Sequence, residues 1–448
     1  MRILIGLALL ALGCGNDSGN GTDAGLDAAG PDLSVACSGG TCSSIKHLVV
    51  VIQENHTFDS YFGKYCTATT GSNPTCNTGP SCCEAGPAKD PGTGMDPIVL
   101  DDTSNGARDP NHTHDCEVSE INGGKMDKYI SSTASMCGNA GNFAYADPAG
   151  PAKPYLDLAK SYALADRYFQ PYAGQSSAND MYFARANFVF PDNQYEPDSI
   201  GIKCAFVTLT KDFTDPTIAD LLNTSGVSWS WYATGYKRMV DAVAGDGGGA
   251  CPSPPPACVS GLPFWPCLYD GGDVPFQYYP SLRDNPKYFK DGDQFAVDVS
   301  GGTLPAVSFI KAIGYQTEHP GFGITVSQGA TFVSNVVTTI QGSSYANNTL
   351  ILVTYDEGGG LFDHVAPPPT STVDQQDYGT RVPLIAIGAF ARTNFISHVT
   401  MEHSSIVKFI EWNFLGGHTG QLGTRDKVVN NIGSVLDPAK TGNVVPEN

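Results

Sequence analysis

Two short segments of the chain combine side chains that are able to hold a metal ion. One contains Glu54, Asn55 and His56, and the other contains Asp356 and Glu357 directly before three glycines. Carboxylate and amide oxygens are ligands that hard divalent cations prefer. These residue types therefore predict a divalent-cation site, although each group taken alone is also consistent with a solvated end of a strand.

A third segment, with the sequence GQSS at residues 174–177, offers a nucleophile. A glycine permits a tight turn, and the backbone N–H groups at the start of a helix favour anions. A serine hydroxyl placed there can attack phosphorus, while a metal ion neutralises phosphate oxygens and histidines protonate the leaving oxygen. Phosphoryl transfer is the chemistry that fits all three segments. A serine in this position more often only caps its helix, so Ser176 alone is weak evidence.

Strands alternating with helices would position these groups. Apolar runs at 47–53, 350–355 and 382–388 are typical of strands buried on both faces of a parallel sheet. In open α/β sheets, ligands bind beyond the carboxyl ends of the strands, and the first two segments begin there. The pattern predicts an α/β sandwich with a mostly parallel sheet. The other predicted elements are strands at 229–233 and 305–312 and helices at 154–164, 177–188, 325–340 and 403–414.

Cysteine usage indicates an oxidising compartment. The chain has 13 cysteines, and setting Cys14 aside leaves an even number, so up to six disulfides are expected. Most lie in two stretches rich in Gly and Pro, 64–150 and 235–300, which we interpret as loop insertions over the sheet. A zinc site around Cys82 and Cys83 is the alternative, but no paired C-x-x-C knuckle supports it.

The first residues have the form of an export signal. A basic start is followed by the apolar run 3–12 and by Gly13-Cys14, which resembles a lipoprotein cleavage box. We therefore predict a signal peptide over 1–14 with a lipid anchor at Cys14, and ordinary signal cleavage is the alternative. Residues 15–43 are predicted to form a flexible tether, and residues 44–448 a single domain.

The overall charge argues against binding to nucleic acid. The 448 residues include 25 Lys and Arg against 45 Asp and Glu, a formal net charge of −20. An excess of negative charge repels phosphate backbones. No run of 18 or more apolar residues is present, so the sequence predicts no conventional membrane span.

Two long motifs resemble the bacterial phosphoesterase family, which contains the non-haemolytic phospholipases C and a respiratory-burst-inhibiting acid phosphatase. The motifs are IKHLVVVIQENHTFDSYFG at 45–63 and TYDEGGGLFDHVAPP at 354–368. Shorter matches extend the resemblance over roughly residues 45–415 in the order of the family. They lie at 109–112, 122–127, 318–320, 381–383 and 402–405.

The resemblance implies an alkaline-phosphatase-like three-layer fold with one divalent metal ion (Ca, Mg, Mn, Zn or Fe). It implies hydrolysis of a phospholipid or a small phosphomonoester through a phosphoserine intermediate at Ser176, with Ser177 as the fallback if the register is shifted by one. The metal ligands would be Glu54, Asn55, Asp356 and Glu357. Contact with phosphate and protonation of the leaving group would fall to His112, His319 and His364.

The nucleophile motif departs from the family pattern Gly-x-Thr-x-Pro-Asn-Arg at two positions. Ala178 stands in place of Pro, and Asp180 stands in place of Arg. An aspartate near a phosphate would repel it unless its side chain points away. Phospholipases of the family often carry further C-terminal β domains that are not found here, which favours a compact enzyme. A non-catalytic surface protein that binds phosphorylated ligands on the same fold is the alternative function.

Overall fold

An eight-stranded sheet forms the centre of the part of the chain that the structure describes. The structure is a computed structural model, and it describes residues 37, 40–205, 209–245 and 251–447. The predicted signal segment with Cys14, and most of the predicted tether, lie outside these residues. The strands are β1 (His47–Gln53), β2 (Ile98–Leu100), β3 (Ala144–Ala146), β4 (Ala163–Ala165), β5 (Tyr168–Phe169), β6 (Tyr195–Glu196), β7 (Leu209–Thr210), β8 (Trp229–Ala233), β9 (Phe289–Asp291), β10 (Val307–Lys311), β11 (Thr349–Tyr355), β12 (Leu384–Ile387), β13 (Phe395–Ser397) and β14 (Met401–Glu402).

The helices of the described residues form two groups around this sheet. Helices α2, α4 and α8 each contact α9, while α5, α6 and α10 contact one another. Because both faces of the central strands are buried, the two groups and the sheet make three layers. The helices are α1 (Phe58–Phe62), α2 (Asp102–Ala107), α3 (His114–Ile121), α4 (Lys153–Ser161), α5 (Ser176–Arg185), α6 (Ile218–Thr224), α7 (Tyr236–Gly245), α8 (Gly292–Ser300), α9 (Val326–Gln341), α10 (His403–Phe414) and α11 (Pro438–Thr441).

The central sheet is mostly parallel, as predicted. Its strand order is β13-β4-β12-β11-β1-β10-β8-β9, and β12 alone runs antiparallel to both of its neighbours. Every residue from Leu48 to Ile52 in β1 is fully buried, which explains why that strand has no alternation of polar and apolar side chains. The remaining strands form two-stranded pairs: β2 with β3, β5 with β14, and β6 with β7.

The register of the three central strands brings their carboxyl ends to one place. Gln53 at the end of β1 pairs with Tyr355 at the end of β11. On the other side of β1, Ile52 pairs with Lys311, the last residue of β10. The residues that follow β1 and β11 therefore lie side by side, next to the side chain of Lys311.

Two predicted helices end earlier than expected. The helix predicted over 177–188 ends at Arg185. The sequence favours a helix over 154–164, but α4 ends at Ser161 and β4 begins at Ala163. Alanine and leucine favour helices, yet Ala163–Ala165 is fully buried between β12 and β13 in the central sheet. Pairing within the sheet outweighs the local preference here.

The twelve cysteines of the described residues form six disulfides, which confirms the expected number. Cys82 and Cys83 are both oxidised, so the alternative of a zinc site there is wrong. The bonds mostly close short loops in the insertions over the sheet, and those loops have little core of their own. The pairs are Cys37–Cys42, Cys66–Cys83, Cys76–Cys82, Cys116–Cys137, Cys204–Cys251 and Cys258–Cys267.

The last residues of the predicted tether contact the end of α10. Cys42 and Ser43 are buried. The backbone N–H of Cys42 donates to the carbonyl of Asn413 at 2.8 Å, and the Ser43 hydroxyl donates to the Asn413 side chain at 2.6 Å. These residues are therefore fixed against the end of α10. Within the described ranges, no helix combines the length and the apolar character needed to cross a membrane.

Candidate active site

Ionisable side chains meet at the carboxyl ends of β1, β10 and β11. Glu54 and Asp356 directly follow β1 and β11, and Lys311 ends β10. The backbone N–H of Asp356 donates to the carbonyl of Gln53 at 3.0 Å, which holds the two strand ends together. All three ionisable side chains are almost completely buried. Because β1 and β11 are parallel neighbours that end side by side, Glu54 and Asp356 lie close together, as the sequence predicts.

Ser176 lies at this cluster. It is the first residue of α5, and its hydroxyl donates to Glu357 Oε1 at 3.2 Å and lies 3.5 Å from Asn55 Oδ1. Ser177 has a different partner, because its backbone N–H donates to Asn193 Oδ1 at 2.9 Å. Of the two serines, Ser176 is the one in contact with the predicted metal ligands.

The loop after β11 can approach Asn55 closely only because it is made of glycine. Gly359 has a left-handed φ of 65°, and a Cβ at this position would lie 2.6 Å from the Cβ of Asn55. Asn55 itself has a φ of 65°, a conformation that asparagine tolerates better than most residues. The backbone N–H of Gly359 donates to Glu357 Oε2 at 2.7 Å and so fixes that carboxylate. The glycine run therefore shapes the site and is more than a turn.

Lys311 makes ion pairs with four carboxylates, of which Asp273 is the most distant, with Oδ1 at 4.0 Å from Nζ. Its Nζ lies 2.6 Å from Asp180 Oδ2, 3.0 Å from Glu54 Oε1 and 3.3 Å from Asp356 Oδ2. Burial disfavours the charged ammonium, but these carboxylates outweigh it and raise the pKa of Lys311 well above its usual value. Asp180 lies one turn after Ser176 on α5, so it does not point away from the site. Its charge is instead paired with Lys311.

The residues at the strand ends fit a divalent cation. Glu54, Asp180, Asp356 and Glu357 are four buried carboxylates, and Lys311 neutralises only part of their charge. An oxygen-rich set with excess negative charge is the environment that Mg²⁺, Ca²⁺ or Mn²⁺ prefers.

Two other groups of described side chains have ligand atoms that all lie within 4.8 Å of one another. One is Asp109, His112 and His319, and the other is Asp59, Asp363 and His364. The predicted ligands Glu54 and Asp356 do not form such a group, and Lys311 contacts both of them.

Two of the three predicted histidines lie beside the cluster. His112 Nε2 is 3.4 Å from Glu357 Oε1, and the His112 and His319 rings meet edge to face with centroids 5.9 Å apart. Burial disfavours a charged His112, but Glu357 and Asp109 raise its pKa to about 9. The Nδ1 atoms of His112 and His319 lie 2.8 and 2.7 Å from the carbonyls of Pro110 and Pro320. Each ring is therefore held through Nδ1 and presents Nε2.

His364 is engaged in a different ionic cluster. Its Nδ1 lies 2.7 Å from Asp59 Oδ2 and its Nε2 lies 3.1 Å from Glu84 Oε2. The guanidinium of Arg381 bonds to Asp59 at 2.9 Å and to Asp363 at 2.8 Å, so these carboxylates already have a cation. Contact between His364 and phosphate would require the ring to give up one of its carboxylate partners. The structure thus brings His112 and His319 to the site but not His364.

Glu318 supports the neighbouring His319. It is fully buried in a left-handed conformation with a φ of 74°. Its carboxylate accepts hydrogen bonds from Tyr61 at 2.6 Å, from Tyr355 at 2.7 Å and from Tyr155. Burial raises the pKa of Glu318 to about 7, although these hydroxyls oppose the rise. Three tyrosines therefore fix the backbone from which His319 projects.

Comparison with known proteins decides the family. A model of the Phosphoesterase family matches residues 45–415. The chain belongs to this family. Phospholipase C B of Mycobacterium tuberculosis is 26% identical, covering 93% of this chain and 83% of that protein. A non-hemolytic phospholipase C of Burkholderia pseudomallei is 24% identical over 84% of this chain and 56% of that protein, and the non-specific phospholipase C6 of Arabidopsis thaliana is 24% identical over 73% and 55%.

Among solved structures, a protein in the alkaline phosphatase superfamily from Vibrio parahaemolyticus matches with a TM-score of 0.37 and 10% identity, covering 88% of this chain and 75% of that one. Membership of the family confirms the resemblance found in the sequence and makes the chain a hydrolase of phosphate esters.

The sequence motifs miss two charged residues of this phosphoesterase site. Lys311 is the last residue of the strand VSFIK. The rule that ligands gather at strand ends therefore points to Lys311, as it does to the residues after β1 and β11. Glu117 lies on α3 and accepts a hydrogen bond from Gln170 at 2.8 Å. Burial and the neighbouring Glu357 raise the pKa of Glu117 well above its usual value. No sequence signal points to Glu117, because it belongs to an insertion without clear periodicity.

Proposed function

We propose that this phosphoesterase hydrolyses its substrate with one divalent metal ion and with Ser176 as the nucleophile. The observation that carries the proposal is the position of the Ser176 hydroxyl, 3.2 Å from Glu357 Oε1 and 3.5 Å from Asn55 Oδ1, at the ends of β1 and β11. A serine that only capped its helix would bond to the backbone of its own first turn, and Ser176 instead points into the carboxylate cluster.

Glu54, Asn55, Asp356 and Glu357 would hold the ion through their side-chain oxygens. When bound, such an ion neutralises charge on the phosphate oxygens and favours the ionised form of a nearby hydroxyl. The backbone keeps two of these ligands in place, because the N–H groups of Glu357 and Gly359 donate to Asp356 Oδ1 and Glu357 Oε2, both at 2.7 Å.

The reaction proceeds in two steps at Ser176. In the first step the serine Oγ forms a bond to phosphorus, the bond from phosphorus to the leaving oxygen breaks, and the hydroxyl proton passes to Glu357, its hydrogen-bond acceptor. His112 or His319 gives a proton to the leaving oxygen. In the second step water forms a bond to phosphorus and gives a proton to that histidine, and the bond from Oγ to phosphorus breaks. Glu357 returns its proton to the serine Oγ, and inorganic phosphate or a phosphomonoester is released.

We propose phospholipids as the substrate class, because several relatives in the family carry the name phospholipase C. The assay compares turnover of phosphatidylcholine with turnover of a small aryl phosphate, each with and without a chelator. Phospholipid turnover that a chelator abolishes, and that added Mn²⁺ or Ca²⁺ restores, supports the proposal. Turnover of only the aryl phosphate would assign the chain to the phosphatase type, and activity that resists complete metal removal would contradict the proposed ion.

The nucleophile is tested with Ser176→Ala and with Ser177→Ala as its matched control. We expect Ser176→Ala to lose at least about 10³-fold in kcat, as removal of a nucleophile usually does, and Ser177→Ala to stay near wild type. Acid quenching of the reaction with a phosphorus-labelled substrate should trap label on the wild-type protein and not on Ser176→Ala. Equal activity of Ser176→Ala and wild type would eliminate the mechanism.

We further propose that the protein is exported and anchored through a lipid on Cys14. Six disulfides need an oxidising compartment, which supports export. Labelled fatty acid should be incorporated into the wild-type chain and not into Cys14→Ser when both are produced in a bacterium that processes lipoproteins. Unlabelled wild-type protein released into the medium would favour ordinary signal cleavage.

A further inference from the structure

Lys311 makes ion pairs with two of the residues that would hold the metal ion and with two aspartates that would not, and the more distant of these is Asp273, with Oδ1 at 4.0 Å from Nζ. The two predicted ligands are Glu54 and Asp356, at 3.0 and 3.3 Å from Nζ. The other aspartate, Asp180, is nearer, with Oδ2 at 2.6 Å from Nζ. The ammonium is thus shared between the metal ligands and an aspartate on α5 that replaces a cation in the family motif.

Within the described residues, the carboxylate of Asp180 accepts a hydrogen bond from Lys311. Asp180 is completely buried, and its second oxygen, Oδ1, has no hydrogen-bond partner among the described residues. A buried carboxylate with an unsatisfied oxygen keeps its negative charge only when a cation lies close to it. Asp180 therefore attracts the ammonium towards α5, whereas Glu54 and Asp356 attract it towards the metal ligands.

We propose that Lys311 is a positioning residue that shares Glu54 and Asp356 with the metal ion, and that Asp180 limits this competition by holding the ammonium. A fixed positive charge beside two ligands reduces the affinity of a site for a divalent cation, since like charges repel. Asp180 offsets that repulsion with a negative charge that is not itself a ligand.

The proposal predicts opposite effects from two substitutions that each remove one charge. Lys311→Met removes the competing cation, so the site should bind a divalent ion at least about tenfold more tightly, equivalent to about 1.4 kcal/mol. Asp180→Asn leaves the ammonium to Glu54 and Asp356, so the site should bind the ion at least about tenfold more weakly. The double variant, Lys311→Met with Asp180→Asn, should lie between the two single variants.

The experiment titrates the metal-stripped, disulfide-intact protein with Mn²⁺ and follows free Mn²⁺ by electron paramagnetic resonance. This readout needs no catalytic turnover. Ser177→Ala, which changes no charge, is the matched control and should bind Mn²⁺ like the wild type. Circular dichroism and thermal unfolding in the presence of chelator establish that each variant is folded.

The outcomes separate this inference from the proposed function on which it rests. Tighter binding by Lys311→Met together with weaker binding by Asp180→Asn supports the inference. Weaker binding by both variants would mean that Lys311 only stabilises the fold, and it would overturn the inference while leaving the metal site intact. If Lys311→Met does not fold, unchanged or tighter binding by Asp180→Asn overturns the inference. A wild-type protein that binds no Mn²⁺ overturns both the inference and the proposed metal site.

Discussion

Replacing His364 with glutamine should remove a part of the stability that depends on pH. The ring nitrogens of His364 face Asp59 and Glu84, at 2.7 and 3.1 Å. Because carboxylates only accept hydrogen bonds, a ring that bonds to both must carry two protons and a positive charge. Burial opposes that charge, but Asp59 and Glu84 outweigh burial and raise the pKa of His364 from 6.5 to about 9.

The sign of the effect follows from the direction of this change. A pKa that is higher in the folded than in the unfolded protein stabilises the fold at low pH. The contribution is complete below pH 6.5, the value for the unfolded chain, and it is lost as the pH rises through about 9. A rise of this size is worth about 3 kcal/mol in the free energy of unfolding.

The measurement is urea unfolding of wild type and His364→Gln at pH 6.0, 7.5 and 9.5, with disulfides intact and chelator present. Subtracting the variant from the wild type cancels the titration of other histidines, including His112. The difference in the free energy of unfolding should be largest at pH 6.0 and about 3 kcal/mol smaller at pH 9.5. A difference that does not change with pH would refute the reasoning. Loss of turnover in His364→Gln with such a constant difference would instead favour the role at the phosphate that the sequence predicts.

Two further substitutions test how loops support the site. Gly359→Ala should lower the free energy of unfolding by about 2 kcal/mol and reduce activity, because the new Cβ would meet Asn55 at 2.6 Å in a left-handed conformation. Gly94→Ala is the control, since Gly94 is also left-handed but has no atom within 4 Å of the added Cβ; an equal loss in both variants would contradict the role of the close contact. Replacing Cys66 and Cys83, 17 positions apart, by serine should cost about 3 kcal/mol in chemical denaturation, and an unchanged midpoint would contradict loop closure as the source of stability.

The apolar patterning of the sequence predicts five of the eight strands of the central sheet, namely β1, β8, β10, β11 and β12. β1, β8 and the helix α10 have the predicted bounds. β4 could not be predicted, since its three residues Ala163–Ala165 have no strand preference of their own. What makes them a strand is pairing with β12 and β13, which lie more than 200 positions away in the chain.

The rule that ligands gather at strand ends predicts the convergence of Glu54, Asp356 and Glu357 without knowledge of the fold. It does not reveal which ionisable groups pair with one another. Asp180 and Lys311 are 131 positions apart, so the partner that neutralises the unexpected aspartate cannot be found from spacing. His364 follows Asp363 in a motif of the phosphoesterase family, yet its ring contacts Asp59 and Glu84, which only the three-dimensional structure brings near.

The central position of β1 in the sheet has a consequence for how the chain folds during synthesis. β1 is the first strand of the described residues to emerge, but its two neighbours follow it by roughly 260 and 300 residues, so its pairing must wait until residue 355 has been made. The disulfides, in contrast, join cysteines only 5 to 47 positions apart. Oxidation can therefore fix the local loops before β1 pairs with β10 and β11 and their carboxyl ends come together.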